Sequence, residues 1–468
     1  MLFPSTTLRR RLANSNPATL NLFAVSAAFA TYFCMYAFRK PFAAATYDGL
    51  SWEFLGASLD LKTALVISQI VGYAASKFVG IKVCSEARRD ERPWLLVGLI
   101  AAAEAALLLF AIVPQSWKPA ALLLNGLPLG MVWGLVVQYL EGRRTSEFLL
   151  AGLSCSFILS SGVVKDVGRA LMFPAAEGPA SWFAWLPPVS EFWMPAVTGA
   201  IFLPLFLLSV WLLNHLPEPT AADVAERTKR APMDAASRAQ FLRRFFPGIV
   251  LLLIAYFFLT AFRDFRDNYM VDVLNEMGDS YAESGASLSR MELAVALVVL
   301  ATMASLSLVH DNQRGLLAVF AVMIAGVGML GGATYLRQVG VLSGFWWMTL
   351  LGMGSYLAYV PYNSLLFDRL LASTRVTGTA VFAIYVADAA GYVGSILTQL
   401  LKDLAWGGNS RLSFLTNLSY TVCGVAALSL AGSCYYFLRR SKPQRHVQQV
   451  ANYPSLPTAV GMELDPEA

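Results

Sequence analysis

Charge is what this sequence has least of. Only 14% of its 468 residues are Asp, Glu, Lys or Arg, against 57% that are hydrophobic, whereas a soluble domain carries roughly 25% charged residues. Such a chain cannot cover a water-facing surface of its size, which excludes a soluble enzyme. Histidine is nearly absent: His215, His310 and His446 fall in or beside polar connections, so neither a haem pair nor an intramembrane zinc site is built on histidine. The five cysteines, Cys34, Cys84, Cys155, Cys423 and Cys434, lie in or at the end of apolar runs without disulfide or metal spacing. They read as small buried hydrophobes. Basic residues exceed acidic ones only by 35 to 30, with no nucleic-acid patch among them. No paired-carboxylate motif marks a membrane-embedded enzyme, and neither metal nor cofactor is implied.

What is present is apolar length. Runs near 18–47, 61–84, 93–113, 119–141, 146–173, 191–213, 245–271, 290–309, 314–336, 342–367, 374–401 and 412–438 each suffice to cross about 30 Å of hydrocarbon as a helix. They are rich in Gly and Ala, which lets helices approach closely, and sustain no period-2 alternation of the barrel kind. The reading is an all-α polytopic membrane protein with twelve transmembrane helices. The Arg-rich start precedes a run too long, and too charged inside, for a cleaved signal.

The basic residues orient it. Segments on the N-terminus side, from Arg9, Arg10 and Arg11 to Arg439, Arg440, Lys442 and Arg445, hold 22 of the 35 Lys and Arg. By the positive-inside rule both termini are cytoplasmic. Residues 1–17 then form a cytoplasmic tail, 18–213 and 245–440 two six-helix bundles, 214–244 a polar linker, and 441–468 a disordered tail.

The two bundles repeat. Tyr32 to Phe42 reads YFCMYAFRKPF and Tyr256 to Arg266 reads YFFLTAFRDFR, with Tyr, Phe, Ala, Phe and Arg coinciding up to Arg39 and Arg263. Two six-helix halves in parallel repeat describe a major facilitator architecture, whose symmetry axis sets helices one and seven opposite each other across a central cavity.

A charge at mid-membrane costs about 2.5–3.5 kcal/mol on insertion scales and needs a reason. Arg39 sits two-thirds along its run with apolar PFAAA after it, where snorkelling is awkward. Arg263 has Asp264, Arg266 and Asp267 beside it, and these can neutralise one another at a helix end. Two guanidiniums facing one cavity suit a dianion, because their rigid fork meets phosphate or carboxylate oxygens bidentately. Tyr36 shares the face of Arg39, and Tyr73 that of Lys77. For Lys77, site membership and snorkelling both stand. Lys165, Asp166 and Arg169 form a cluster for which an internal Lys165–Asp166 pair is the plain reading. Asp388, four residues before Tyr392, either pairs with a base across the cavity or binds a coupling proton.

These residues resemble the organophosphate:phosphate antiporters of the major facilitator superfamily, the group with bacterial glycerol-3-phosphate and hexose-6-phosphate exchangers. The strings are Tyr36-Ala37-Phe38-Arg39-Lys40-Pro41-Phe42, Tyr73-Ala74-Ala75-Ser76-Lys77-Phe78, Gly130-Met131-Val132-Trp133, Arg263, Tyr359-Val360-Pro361, Gly378-Thr379-Ala380 and Gly391-Tyr392-Val393-Gly394-Ser395. The resemblance implies an exchanger in which Arg39 and Arg263 hold the phosphate, Lys77 and Lys40 add positive charge, and Tyr36, Tyr73, Tyr359 and Tyr392 line the cavity. The chain departs from it where Ser156 to Leu159 lack the family's histidine, in the degenerate loop after span two, and at Asp388. The expectation is a monomeric secondary transporter of a small anionic metabolite in a bacterial inner membrane, with Asp388, Lys165 and Asp166 serving coupling or charge balance. Its alternatives are a proton-coupled organic-anion symporter and a non-transporting sensor of a phosphorylated ligand.

Overall fold

The computed structural model describes residues 6–54, 56–143, 145–173, 183–219, 235–278, 287–374, 380–405 and 410–441. The tail from 442, the linker's middle, 220–234, and Gly378-Thr379 lie outside them.

Twelve long helices cross the described residues. In order they are Pro17–Met35, Leu61–Glu86, Arg92–Ile112, Lys118–Leu140, Ser146–Met172 and Met194–Asn214 in the first half. The second half has Ala235–Glu276, Ser287–Ser307, Asn312–Gln338, Gly344–Pro361, Ala380–Leu404 and Arg411–Ser441. Ten of the twelve are long and apolar enough by length and hydropathy to cross a membrane. The tenth continues, after Pro361, through one turn of π-helix (Tyr362–Leu366) into Phe367–Thr374. A proline there withholds an N–H from the ladder, and a widened turn is how helices absorb that loss. The chain is an all-α integral membrane protein.

The helix pairings carry the internal symmetry. In the first half, helix 1 packs on 5 and 6, helix 4 on 2 and 3, and helix 3 on 6; each pairing recurs six helices later, as 7 on 11 and 12, 10 on 8 and 9, and 9 on 12. The halves meet through helices 5 with 8 and 2 with 11, which the same operation exchanges. Two pseudo-symmetric six-helix bundles of this kind are the major facilitator fold. Glycines set the tightest contacts. A Cβ on Gly72 would lie 2.1 Å from the Leu123 carbonyl oxygen, and one on Gly354 2.5 Å from that of Gly326, so helices 2 and 4, and 9 and 10, touch backbone to backbone.

One sequence expectation needs correction, and two further features add to the reading. The run 18–47 is not one helix: it ends at Met35, tightens through a 3₁₀ turn at Tyr36–Phe38, and turns again at Pro41–Ala44. Pro41, which cannot continue the ladder, was the signal. Residues 51–60 form a hairpin, β1 (Ser51–Phe54) against β2 (Ala57–Asp60), between helices 1 and 2. The linker's last part, from Ala235, is already helical, with a break at Phe245 before Pro247. Cys34 and Cys155 are buried, whereas Cys84, Cys423 and Cys434 are half-buried; all five are free thiols.

Candidate functional site

The break in helix 1 places Arg39. Its backbone N–H bonds back to the Tyr36 carbonyl, and its own carbonyl accepts from Gln69 Nε2 at 2.8 Å. Gln69 also donates to Asn125 Oδ1, and Asn125 Nδ2 in turn holds the Phe38 and Ala103 carbonyls, each at 3.0 Å. An amide relay from helices 2 and 4 thus satisfies the carbonyls that the broken helix leaves open. The guanidinium projects onto the ring of Tyr73, 3.9 Å from its centroid, with the Tyr36 hydroxyl 3.5 Å from Nη1.

Arg263 occupies the matching place in helix 7, which runs on as helix past that point. Its guanidinium lies 3.9 Å from the centroid of Tyr359 and grips one oxygen of Asp264 through Nη2 at 2.7 Å and Nε at 3.2 Å. Ser395 donates to the other oxygen at 2.9 Å. The two repeat-related guanidiniums belong to one cluster: Tyr73 carries both Arg39 and Lys77, Lys77 pairs with Asp388, and Asp388 connects through the Tyr256 and Tyr359 hydroxyls to the ring under Arg263.

Around them the halves exchange charge. Lys40 reaches Asp267 at 2.6 Å and Asn268 at 2.9 Å. Lys165 reaches the other oxygen of Asp267, at 2.6 Å, and Ser161 donates to that oxygen too. Lys77 pairs with Asp388, whose second oxygen lies 2.5 Å from the Tyr256 hydroxyl. Lys77 also sits 5.1 Å from the centroid of Tyr392, whose ring meets Tyr73 edge-on at 5.9 Å.

The structure gives each residue left open a partner. Lys77 does not snorkel; it turns inward to the opposite half. Asp388 takes the cross-half pairing. The internal Lys165–Asp166 pair does not form, because Lys165 turns to Asp267 while Asp166 accepts from the Ser289 backbone and hydroxyl at the start of helix 8. Helical neighbours i and i+1 point about 100° apart, so each finds its own partner. Nor do the acids around Arg263 neutralise their neighbours as a group: Arg266 leaves for Glu292 of helix 8, at 2.8 Å. Arg263, Lys40, Lys77, Tyr36, Tyr73, Tyr359 and Tyr392 are brought together around Arg39, and Lys165 joins through Asp267. Asp166 stands apart on the helix 5–8 seam.

Sequence reasoning missed Asp267 as the shared counter-ion, Tyr256 as the hydroxyl on Asp388, and the amides Gln69, Asn125 and Asn268. Tyr256 was visible as the repeat mate of Tyr32; the amides carried no signal. Four cations, Lys40, Lys77, Lys165 and Arg263, share three carboxylates, Asp264, Asp267 and Asp388, and Arg39 is a fifth cation beside them. Arg39 has no carboxylate within ion-pair distance among the described residues, and its Nε is buried without a partner. What the cluster lacks is negative charge.

Comparison with known proteins agrees with this architecture. Residues 41–440 match the family described as "Family of unknown function (DUF5690)", and the chain belongs to that family. A search of curated proteins finds no match. Among solved structures, the chain is similar to a D-xylose-proton symporter at 17% identity, covering 89% of this chain and 97% of that one with a TM-score of 0.55. It is similar to the nucleoside transporter NupG at 12% identity, covering 89% and 99% with a TM-score of 0.55. The fucose:proton symporter FucP of E. coli is 14% identical, covering 90% and 98% with a TM-score of 0.50. At these identities the likeness is one of fold.

Proposed function

We propose that the protein is a secondary transporter that carries a small organic anion, an organophosphate exchanged for phosphate, around Arg39 and Arg263. One observation carries the reading: Arg39 is the cation of the central cluster that no carboxylate compensates. Holding an uncompensated charge inside a membrane is expensive, and a ligand bringing a phosphate or carboxylate supplies the missing charge. The Arg39 guanidinium, stacked on Tyr73, has N–H edges that no carboxylate occupies, the arrangement that takes such a group in bidentate fashion, while Arg263 spends its Nε–Nη2 edge on Asp264 and adds positive charge nearby. The three structural relatives named above are carriers of sugars or nucleosides, two of them proton symporters; the carrier fold is common to all, and the cationic site is what supports an anion for this chain.

Alternating access follows from the two bundles rocking about the site. With both termini taken as cytoplasmic, as the basic residues favour, the far end of the molecule is the outer face of a bacterial inner membrane. An anion that screens Arg39 from Arg263 lowers their repulsion and favours closure.

The test is counterflow in proteoliposomes loaded with phosphate, using a panel of organophosphates and carboxylates. Wild-type protein is expected to accumulate at least one of them in exchange for internal phosphate, and Arg39→Ala and Arg263→Ala to lose that exchange. Undiminished transport in both variants refutes the two-arginine site.

A further inference from the structure

The central cluster holds one acid that the anion reading does not use. Asp388 sits among groups that favour anions, and it is itself an anion. It is nearly buried, with 11% of its side chain exposed, and both oxygens are satisfied, one by Lys77 and one by the Tyr256 hydroxyl at 2.5 Å. Tyr256 also lies 3.0 Å from the Tyr359 hydroxyl. Its single proton goes to the carboxylate, the stronger acceptor, so Tyr359 completes the relay as donor. The Tyr359 ring then carries Arg263 on its face. A continuous string, Lys77, Asp388, Tyr256, Tyr359, Arg263, joins two of the cluster's cations.

The two partners of the Lys77–Asp388 pair are held differently. Asp388 is held by Tyr256, whose ring stacks on Tyr359 at 5.2 Å and meets Tyr362 edge-on at 4.7 Å. Lys77 keeps 20% of its side chain exposed and has four rotatable carbons. It lies over the same Tyr73 ring that carries Arg39, at 5.7 Å against 3.9 Å. The two cations thus share one ring, which sets Lys77 beside the place where Arg39 would bind an anion.

We infer that Asp388 is a tethered stand-in for the substrate's negative charge and sets the site's specificity. In the empty site it neutralises Lys77; a bound anion takes its place there, and Lys77 swings to the ligand. Asp388 stays on Tyr256 with one oxygen stripped of its donor. A carboxylate left so in a low-dielectric site is costly, and a ligand that brings its own donor removes the cost. The inference deepens the reading above: the substrate class is an organic anion bearing a hydroxyl or ammonium group close to its phosphate or carboxylate. A bare anion pays for displacing Asp388 and returns nothing to it.

The experiment is equilibrium binding to the detergent-purified full chain with three probes: methyl phosphate, which has no second donor, glycerol 3-phosphate and phosphoethanolamine. Wild type is expected to bind at least one donor-bearing probe about tenfold more tightly than methyl phosphate. In Asp388→Asn, Lys77 has no anionic competitor, so methyl phosphate binding strengthens several-fold and the preference falls to about twofold or less. Tyr256→Phe keeps both charges and the ring, loosens the tether, and is expected to reduce the preference without abolishing binding; it serves if Asp388→Asn does not fold. An unchanged preference in Asp388→Asn, or in Tyr256→Phe where only that variant folds, overturns the inference. Arg39→Ala separates this from the underlying reading: if it binds none of the probes while Asp388→Asn behaves as wild type, the anion site stands and only the role of Asp388 falls. If wild type binds no probe, or Arg39→Ala binds all three as wild type does, both fall.

Discussion

Lys62 of the first half and Asp272 of the second meet at 2.5 Å with 0% and 1% of their side chains exposed. The same ammonium holds the Ala43 and Ala45 carbonyls at 3.0 and 2.8 Å, where the broken end of helix 1 needs donors. Asp272 is shared with Arg411 at 3.0 Å, and Arg411 reaches Asp60 at 2.8 Å, the residue that caps helix 2. One network therefore closes the end of the molecule opposite the termini. Removing one partner of a buried pair leaves its charge uncompensated, at a cost of about 3–5 kcal/mol. Lys62→Met is expected to lower the melting temperature in detergent and to raise the labelling rate of a cysteine placed at Thr63. Equal labelling in wild type and variant speaks against closure by this pair.

Asp267 answers for two ammoniums, Lys40 and Lys165. Asp267→Asn strands both, and the expected loss again reaches about 3–5 kcal/mol. Lys165→Met combined with Asp267→Asn should recover part of it. Thermal unfolding of the three proteins in one detergent checks this, and a double variant no more stable than Asp267→Asn contradicts the shared pairing.

Arg39→Lys keeps the charge but loses the fork and the flat stacking on Tyr73. If bidentate recognition matters, exchange should fall roughly 10- to 100-fold, the equivalent of about one charge-assisted hydrogen bond. Initial rates of exchange, normalised to protein in the vesicle, provide the comparison; a rate within twofold of wild type would show that a point charge suffices.

Gly72 and Gly126 face each other across helices 2 and 4, each closest to a backbone carbonyl of the other helix, at 2.1 Å for a Cβ on Gly72 and 2.4 Å for one on Gly126. Backbone cannot yield as a side chain can, so Gly126→Val must push the helices apart and with them Asn125 and Gln69, the relay that fixes Arg39. The expected result is loss of monodisperse protein on size exclusion, while Gly98→Ala, where a Cβ meets nothing within 4 Å, is tolerated.

The fold was legible because a bilayer writes itself into sequence as apolar runs about 20 residues long, and because the duplicated string around Arg39 and Arg263 survives. The break after Met35 was hidden because Phe42 to Ala45 after Pro41 are apolar and read as continuing helix. The site was legible in its cations, whose cost inside a membrane marks them wherever they stand. Their partners were not. Lys62 and Asp272 are 210 positions apart, and Lys77 and Asp388 are 311 apart, so nothing local announces the pairing. Asp267 in particular read as a neighbour of Arg263 and Arg266 and proved to serve two lysines of the other half.

Four lysine–aspartate pairs between the halves share a direction, while Arg411–Asp60 runs the other way. Lys40, Lys62, Lys77 and Lys165 come from the first half, while Asp267, Asp272 and Asp388 come from the second. The halves still share a helical plan and the string around their arginines, yet a duplicated unit has become two complementary parts, with ammoniums mostly on one side of the seam and carboxylates mostly on the other.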